Sequence, residues 1–72
     1  MDEMSRMIIE EYCMFRNTKK AQFLKRLVEK SYNYSYQLSD SEAMYLGQLI
    51  SREKDSELRE ALRDLDNFMT GY

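Results

Sequence analysis

The sequence predicts an all-α protein, a small bundle of three helices, or four, that ends in a long C-terminal helix. Three observations carry this. Apolar residues recur at three- and four-residue intervals almost throughout. The 72 residues hold no proline and only two glycines, Gly47 and Gly71, so little interrupts a helix. Ser39-Asp40-Ser41-Glu42 has the pattern that opens a helix, directly ahead of an apolar run.

The first helix is expected over residues 3–16, where Met4, Met7, Ile8, Tyr12 and Phe15 fall on one face. Asn17-Thr18 ends it. Asparagine tolerates the left-handed conformation that closes a helix, and Thr18 can cap the next one. The second helix is expected over 19–31, with Ala21, Leu24, Leu27 and Val28 as its apolar stripe and Phe23 beside it. Lys19, Lys20, Lys25, Arg26, Glu29 and Lys30 form its outer face. Tyr32-Asn33-Tyr34-Ser35-Tyr36-Gln37 alternates like a strand, but the chain offers it no pairing partner. It reads as an extended connector whose rings pack over the helices. A third helix should start near Asp40: Ser39 and Glu42 can satisfy each other's amides, and Leu38 sits where a hydrophobic staple would use it.

Ala43, Leu46, Leu49 and Ile50 begin one apolar stripe on that helix, and Leu58, Ala61, Leu62, Leu65, Phe68 and Met69 form another. Residues 51–57, between them, are all polar. With no Gly or Pro to mark a turn, one long helix is the expectation, with a turn into a fourth helix as the alternative. The stripe Leu58, Leu62, Leu65, Met69 then reads as a seam for a second copy or a partner, with Glu53, Asp55 and Glu57 as its charged rim. The other reading folds the stripe back on the first helix.

A chain of this length has room for one domain, 1–72. Small chains usually need a staple, a metal or a partner. Cys13 is the only cysteine and there is no histidine, so a disulfide is excluded and no zinc site is expected. Cys13 is expected in the core. Most general-base and triad arrangements lean on histidine, and no glycine-rich phosphate loop is present. The carboxylates read as solvated helix faces. No enzymatic activity and no cofactor are therefore expected. No stretch approaches the roughly 18 apolar residues of a membrane span, and the acidic start does not have the layout of a signal peptide. A cytoplasmic setting, without membrane contact, is the expectation.

Residues 1–36 carry seven basic against five acidic side chains, and residues 37–72 four against eight. The basic excess lies between Arg16 and Lys30. It reads either as a solvated helix face or as a surface lying near a phosphate backbone or an acidic partner. Direct base reading is not expected, because a recognition helix at Ala43–Ile50 would be mostly apolar and without Arg, Lys or Asn.

Tyr12 to Lys30, the tyrosine-bearing connector and Leu38-Ser39-Asp40-Ser41-Glu42 together resemble the Hha/YmoA family, short helical modulators of gene expression in enteric bacteria. The matching residues are Arg16, then Leu24, Arg26, Leu27, Val28, Glu29 and Lys30, then Leu38, Ser39, Asp40 and Glu42. The likeness spans roughly residues 11–50. The connector is longer here, and Ser51-Arg52-Glu53 stands where the family has Asp-His-Arg. The resemblance implies binding to the dimerisation region of an H-NS-like nucleoid protein, with acidic side chains of the modulator on basic ones of the partner. DNA is then approached only indirectly, through the partner. The family's acidic contact positions fall on Gln22, Lys25 and Ser51, none of them acidic, while Glu53, Asp55 and Glu57 offer carboxylates one turn further along. The basic side keeps Arg16 and Arg26, and Lys19, Lys20, Lys25 and Lys30 add to it. The expected function is a non-enzymatic modulator of gene expression that binds an H-NS-like nucleoid or transcription regulator. The alternative is a small helical adaptor or chaperone-like subunit that dimerises through 58–69 with no link to DNA.

Overall fold

Three of the helices open on a side-chain cap, with no glycine or proline at the boundary. The computed structural model describes residues 1–32 and 36–70. Its helices are α1 (Glu3–Cys13), α2 (Lys19–Lys30), α3 (Asp40–Arg52) and α4 (Ser56–Met69). No strand occurs among the described residues.

Helix α1 stops at Cys13, not at residue 16. Its last turn tightens into three-residue hydrogen bonds, Met14 N–H to the Glu11 carbonyl at 3.3 Å and Arg16 N–H to the Cys13 carbonyl at 3.2 Å. The Arg16 guanidinium donates to the freed Tyr12 carbonyl at 2.6 Å. Thr18 then opens α2 as expected, its hydroxyl accepting from the Ala21 amide at 3.1 Å.

Helix α3 begins with both halves of the capping box. The Glu42 amide donates to the Ser39 hydroxyl at 3.2 Å. The Ser39 amide donates to the Glu42 carboxylate at 2.9 Å. Tyr36 adds its phenol, donating to the same carboxylate at 2.8 Å. The expected connector is seen only in part, because residues 33–35 lie outside the described ones. The Tyr36 ring is half-buried, whereas Tyr32 is exposed. Replacing Ser39 with alanine removes one acceptor and should cost about 0.5–2 kcal/mol. The midpoint of urea unfolding reads this directly, and an unmoved midpoint would mean that the cap carries no stability.

The expected long C-terminal helix is corrected. The chain leaves the α-helical conformation at Glu53 (φ −72°, ψ 124°) and re-enters it after Asp55. The Asp55 carboxylate caps α4, accepting from the Glu57 amide at 2.9 Å and the Leu58 amide at 3.3 Å. An aspartate cap makes this turn without any glycine.

With α4 folded back, the bundle closes. Helix α1 lies between α2 and α4, and α3 packs on α4. The rings of Phe23 on α2 and Tyr45 on α3 meet edge to face, 4.6 Å apart. The core gathers Ile9 and Cys13 from α1, Ala21, Phe23, Leu24, Leu27 and Val28 from α2, Leu46 and Leu49 from α3, and Leu58, Ala61, Leu62, Leu65 and Met69 from α4. Leu62 and Leu65 have no exposed surface at all. The seam expected to face a partner is therefore the chain's own core, which is the second correction. Burial also moves the face of α1. Ser5, Ile9 and Cys13, four residues apart, point inward, and Ile8 and Tyr12 flank them. Met4, Met7 and Phe15, expected on the buried face, are exposed.

Candidate functional site

The outward face of α2 carries most of the expected basic residues. Lys19, Lys25 and Arg26 are exposed, and Lys30 is half-buried. Several sit over aromatic rings: Lys19 over Tyr45 at 5.7 Å, Arg26 over Phe23 at 5.6 Å and Lys30 over Tyr36 at 4.6 Å. Arg16, at the other end of the face, lies 4.2 Å over Tyr12. These contacts steady the cations without neutralising them. Lys19, Gln22 and Arg26 also border a depression of about 410 Å³ between α2 and α3, with Phe23, Ser41, Glu42 and Tyr45 on its other walls.

Lys20 departs from this face and turns inward. Its ammonium donates to Glu53 at 2.8 Å and lies 4.9 Å over Tyr12. The two charged side chains are only 27% and 12% exposed. Burial alone would push the Glu53 carboxyl up. The Lys20 ammonium and the Asp55 amide outweigh it and hold the carboxyl below its ordinary value. Burial likewise opposes the charge on Lys20, and its hydrogen bond to Glu53, helped by the neighbouring Tyr12 phenol, holds the ammonium's pKa above the ordinary one. Glu53 is therefore a strut between α2 and the α3–α4 turn. Of the three expected rim carboxylates, Asp55 is a helix cap and only Glu57 stays free of a structural task.

A pH dependence follows from these carboxylates. Glu42 is held low by the Ser39 amide and then by the Tyr36 phenol, and Glu53 is held low as described. Both give up their protons more readily in the folded chain than in the unfolded one. Their stabilisation is thus complete above the ordinary value of 4.5 and is lost as pH falls through the depressed folded values. Asp66, raised by burial, works in the opposite sense and offsets part of the loss. Urea midpoints should fall between pH 6 and about pH 3, and fall less in a Glu42→Gln, Glu53→Gln double variant. An equal fall in both proteins would sink the assignment.

One exposed feature lies apart from the basic face. Met4, Met7 and Met14 are 62%, 57% and 61% exposed, and Phe15 is 92% exposed. Met4 and Met7 lie on the side of α1 that faces away from the core, with Glu11 on the same side, and Met14 and Phe15 continue it in the turn beyond Cys13. The spacing of these residues had been visible, but α1 has two apolar faces, and the periodicity alone does not say which is buried. Cys13 is buried as expected, and burial pushes its thiol up, away from reactivity. Among the described residues, no three metal-ligating side chains gather, and no helix is long and apolar enough to cross a membrane. Comparison with protein-family models, curated proteins and solved structures returns no match.

Proposed function

We propose that this chain is a non-enzymatic modulator of gene expression that works by binding a regulatory protein of the H-NS-like class and meets DNA only through that partner. The observation that carries partner binding is the exposed α1 stripe. In a protein with so small a surface, several large apolar side chains left outside on one helix and the turn that follows it mark an interaction site. The regulatory assignment rests on the resemblance to the Hha/YmoA family over residues 11–50. The residues of that likeness have coherent places in the fold: Leu24, Leu27 and Val28 in the core, Ser39 and Glu42 in the capping box, and Arg16 and Arg26 on the outer basic surface.

The test is titration of the purified chain with the dimerisation domain of an H-NS-like protein, followed by addition of DNA. Binding in the first step is expected. In the second step, changing Lys19 and Arg26 together to Gln should weaken the ternary assembly and lower its salt dependence, while the protein–protein affinity stays unchanged; Lys25 is kept because it lines the groove beside Glu10. Lys20 is left out because it is a strut. No binding to the domain would overturn the regulatory assignment in favour of an adaptor with no link to DNA. Tight, sequence-specific DNA binding by the chain alone would overturn it as well.

A further inference from the structure

We infer that the exposed face of α1 is a docking ridge for a basic amphipathic helix of a partner protein. The inference rests on the reading that the chain works by binding a protein, and not on which regulator that protein is.

The ridge is apolar along its crest and acidic along its sides. Met4, Met7, Met14 and Phe15 make the crest. Met4 and Met7 lie on α1 itself, and Met14 and Phe15 lie in the turn just beyond its end. Glu3 and Glu10 border it toward α2, and Glu11 lies in its middle. On the α4 side, Glu11, Asp55 and Glu57 edge a shallow depression of about 200 Å³ beside Ile8, with Arg16 as its one cation. On the α2 side, a groove of about 360 Å³ runs past Glu10, Ile9 and Cys13, with Glu29 and one cation, Lys25, on its far wall. Among the described residues, Glu10, Glu11 and Glu57 make no ion pair. Glu3 alone reaches a cation, Arg6 at 3.6 Å.

Charge decides the occupant. A crest lined by unpaired carboxylates repels nucleic acid and anionic membranes. Two ridges meeting symmetrically would bring Glu10 and Glu11 against their own copies. A head-to-tail contact with the basic face of another copy fails differently, because residues 19–30 include none of the large exposed apolar side chains, so they offer no anchors. A partner helix with apolar residues at three- and four-residue spacing, flanked by Lys and Arg, meets both requirements. Methionine suits such a surface because its unbranched side chain re-packs around differing anchors. Of the positions where the family resemblance would put contacts, Lys25 lines the groove beside Glu10, whereas Gln22 and Ser51 border neither depression beside the ridge.

The probe is a synthetic 14-residue helix with leucines at positions 2, 5, 9 and 12 and lysines or arginines elsewhere (roughly three to four turns). Its fluorescence anisotropy is titrated with the full chain. Saturable binding is expected. Met7→Gln with Met14→Gln should weaken it at least about tenfold, and so should Glu10→Lys with Glu11→Lys; only the charge variant should flatten its salt dependence. All four positions are exposed, and unchanged circular dichroism verifies the fold. A scrambled peptide of equal composition that bound equally well would overturn the inference. So would methionine variants without effect, since the contact would then be charge alone. Self-association of the wild type that vanishes in the Met7→Gln, Met14→Gln variant would name a second copy as occupant and overturn it too. Peptide binding by the ridge alongside failure of the H-NS-like titration would retain this inference and refute the regulatory assignment.

Discussion

Leu62→Asp is expected to unfold the protein, not to release a partner. Leu62 has no exposed surface and sits in one core with Ile9, Leu24, Leu27, Leu46 and Leu65. Truncating such a residue to alanine costs about 2–5 kcal/mol. Aspartate adds the cost of burying a carboxylate with no cation prepared for it. A domain of this length holds in total on the order of 4–10 kcal/mol, so the substitution consumes most or all of it. Loss of helical circular dichroism at 25 °C, at every protein concentration, is the expected reading. A folded variant that merely changes from dimer to monomer in the ultracentrifuge would return Leu58, Leu62, Leu65 and Met69 to an intermolecular seam. Met7→Gln provides the contrast: it alters an equally apolar residue of α1 that is 57% exposed, and it should leave the unfolding midpoint within about 0.5 kcal/mol of wild type.

The contrast between Leu62 and Met7 marks the limit of what the sequence discloses. Helical periodicity and the Ser39 capping box are local, so the helical class, the Thr18 cap and the start of α3 were legible before any packing was known. Which apolar face turns inward is not local. In α1, Met4, Met7 and Phe15 and the set Ile9, Cys13 are both helically spaced, and the neighbouring helices α2 and α4 decide between them. The α3–α4 turn was legible in principle. Asp55 followed by Ser56, Glu57 and Leu58 has an acceptor at the cap position and a carboxylate in the first turn. With neither Gly nor Pro beside it, that cap is the turn's one local sign. Once that turn is missed, the stripe on α4 has no core to enter and reads as an interface. Glu53 and Asp55 likewise read as a charged rim, although one bridges to Lys20 and the other caps a helix.

The Lys20–Glu53 pair should therefore behave as a structural contact, and a double-mutant cycle measures this. With 27% and 12% of their side chains exposed, the partners are desolvated enough that neither is comfortable alone. Lys20→Met leaves the Glu53 carboxylate with the Asp55 amide at 3.1 Å but without its cation. Glu53→Gln leaves the Lys20 ammonium over Tyr12 with only a neutral partner. Each single change should cost about 1–3 kcal/mol, much of it the penalty of the charge left behind. The double variant, with both charges gone, should cost distinctly less than the sum of the two. Acidity supplies a second reading. The Lys20→Met penalty arises from an ionised Glu53, and in the variant that carboxyl no longer has its ammonium to hold it low. Lowering the pH neutralises it there before it does so in the wild type. The stability gap between the two proteins should then narrow as pH falls. Additive single effects within about 0.5 kcal/mol, together with a gap that does not change with pH, would place Lys20 back on a solvated basic face. It would then join Lys19, Lys25 and Arg26 in whatever those residues meet.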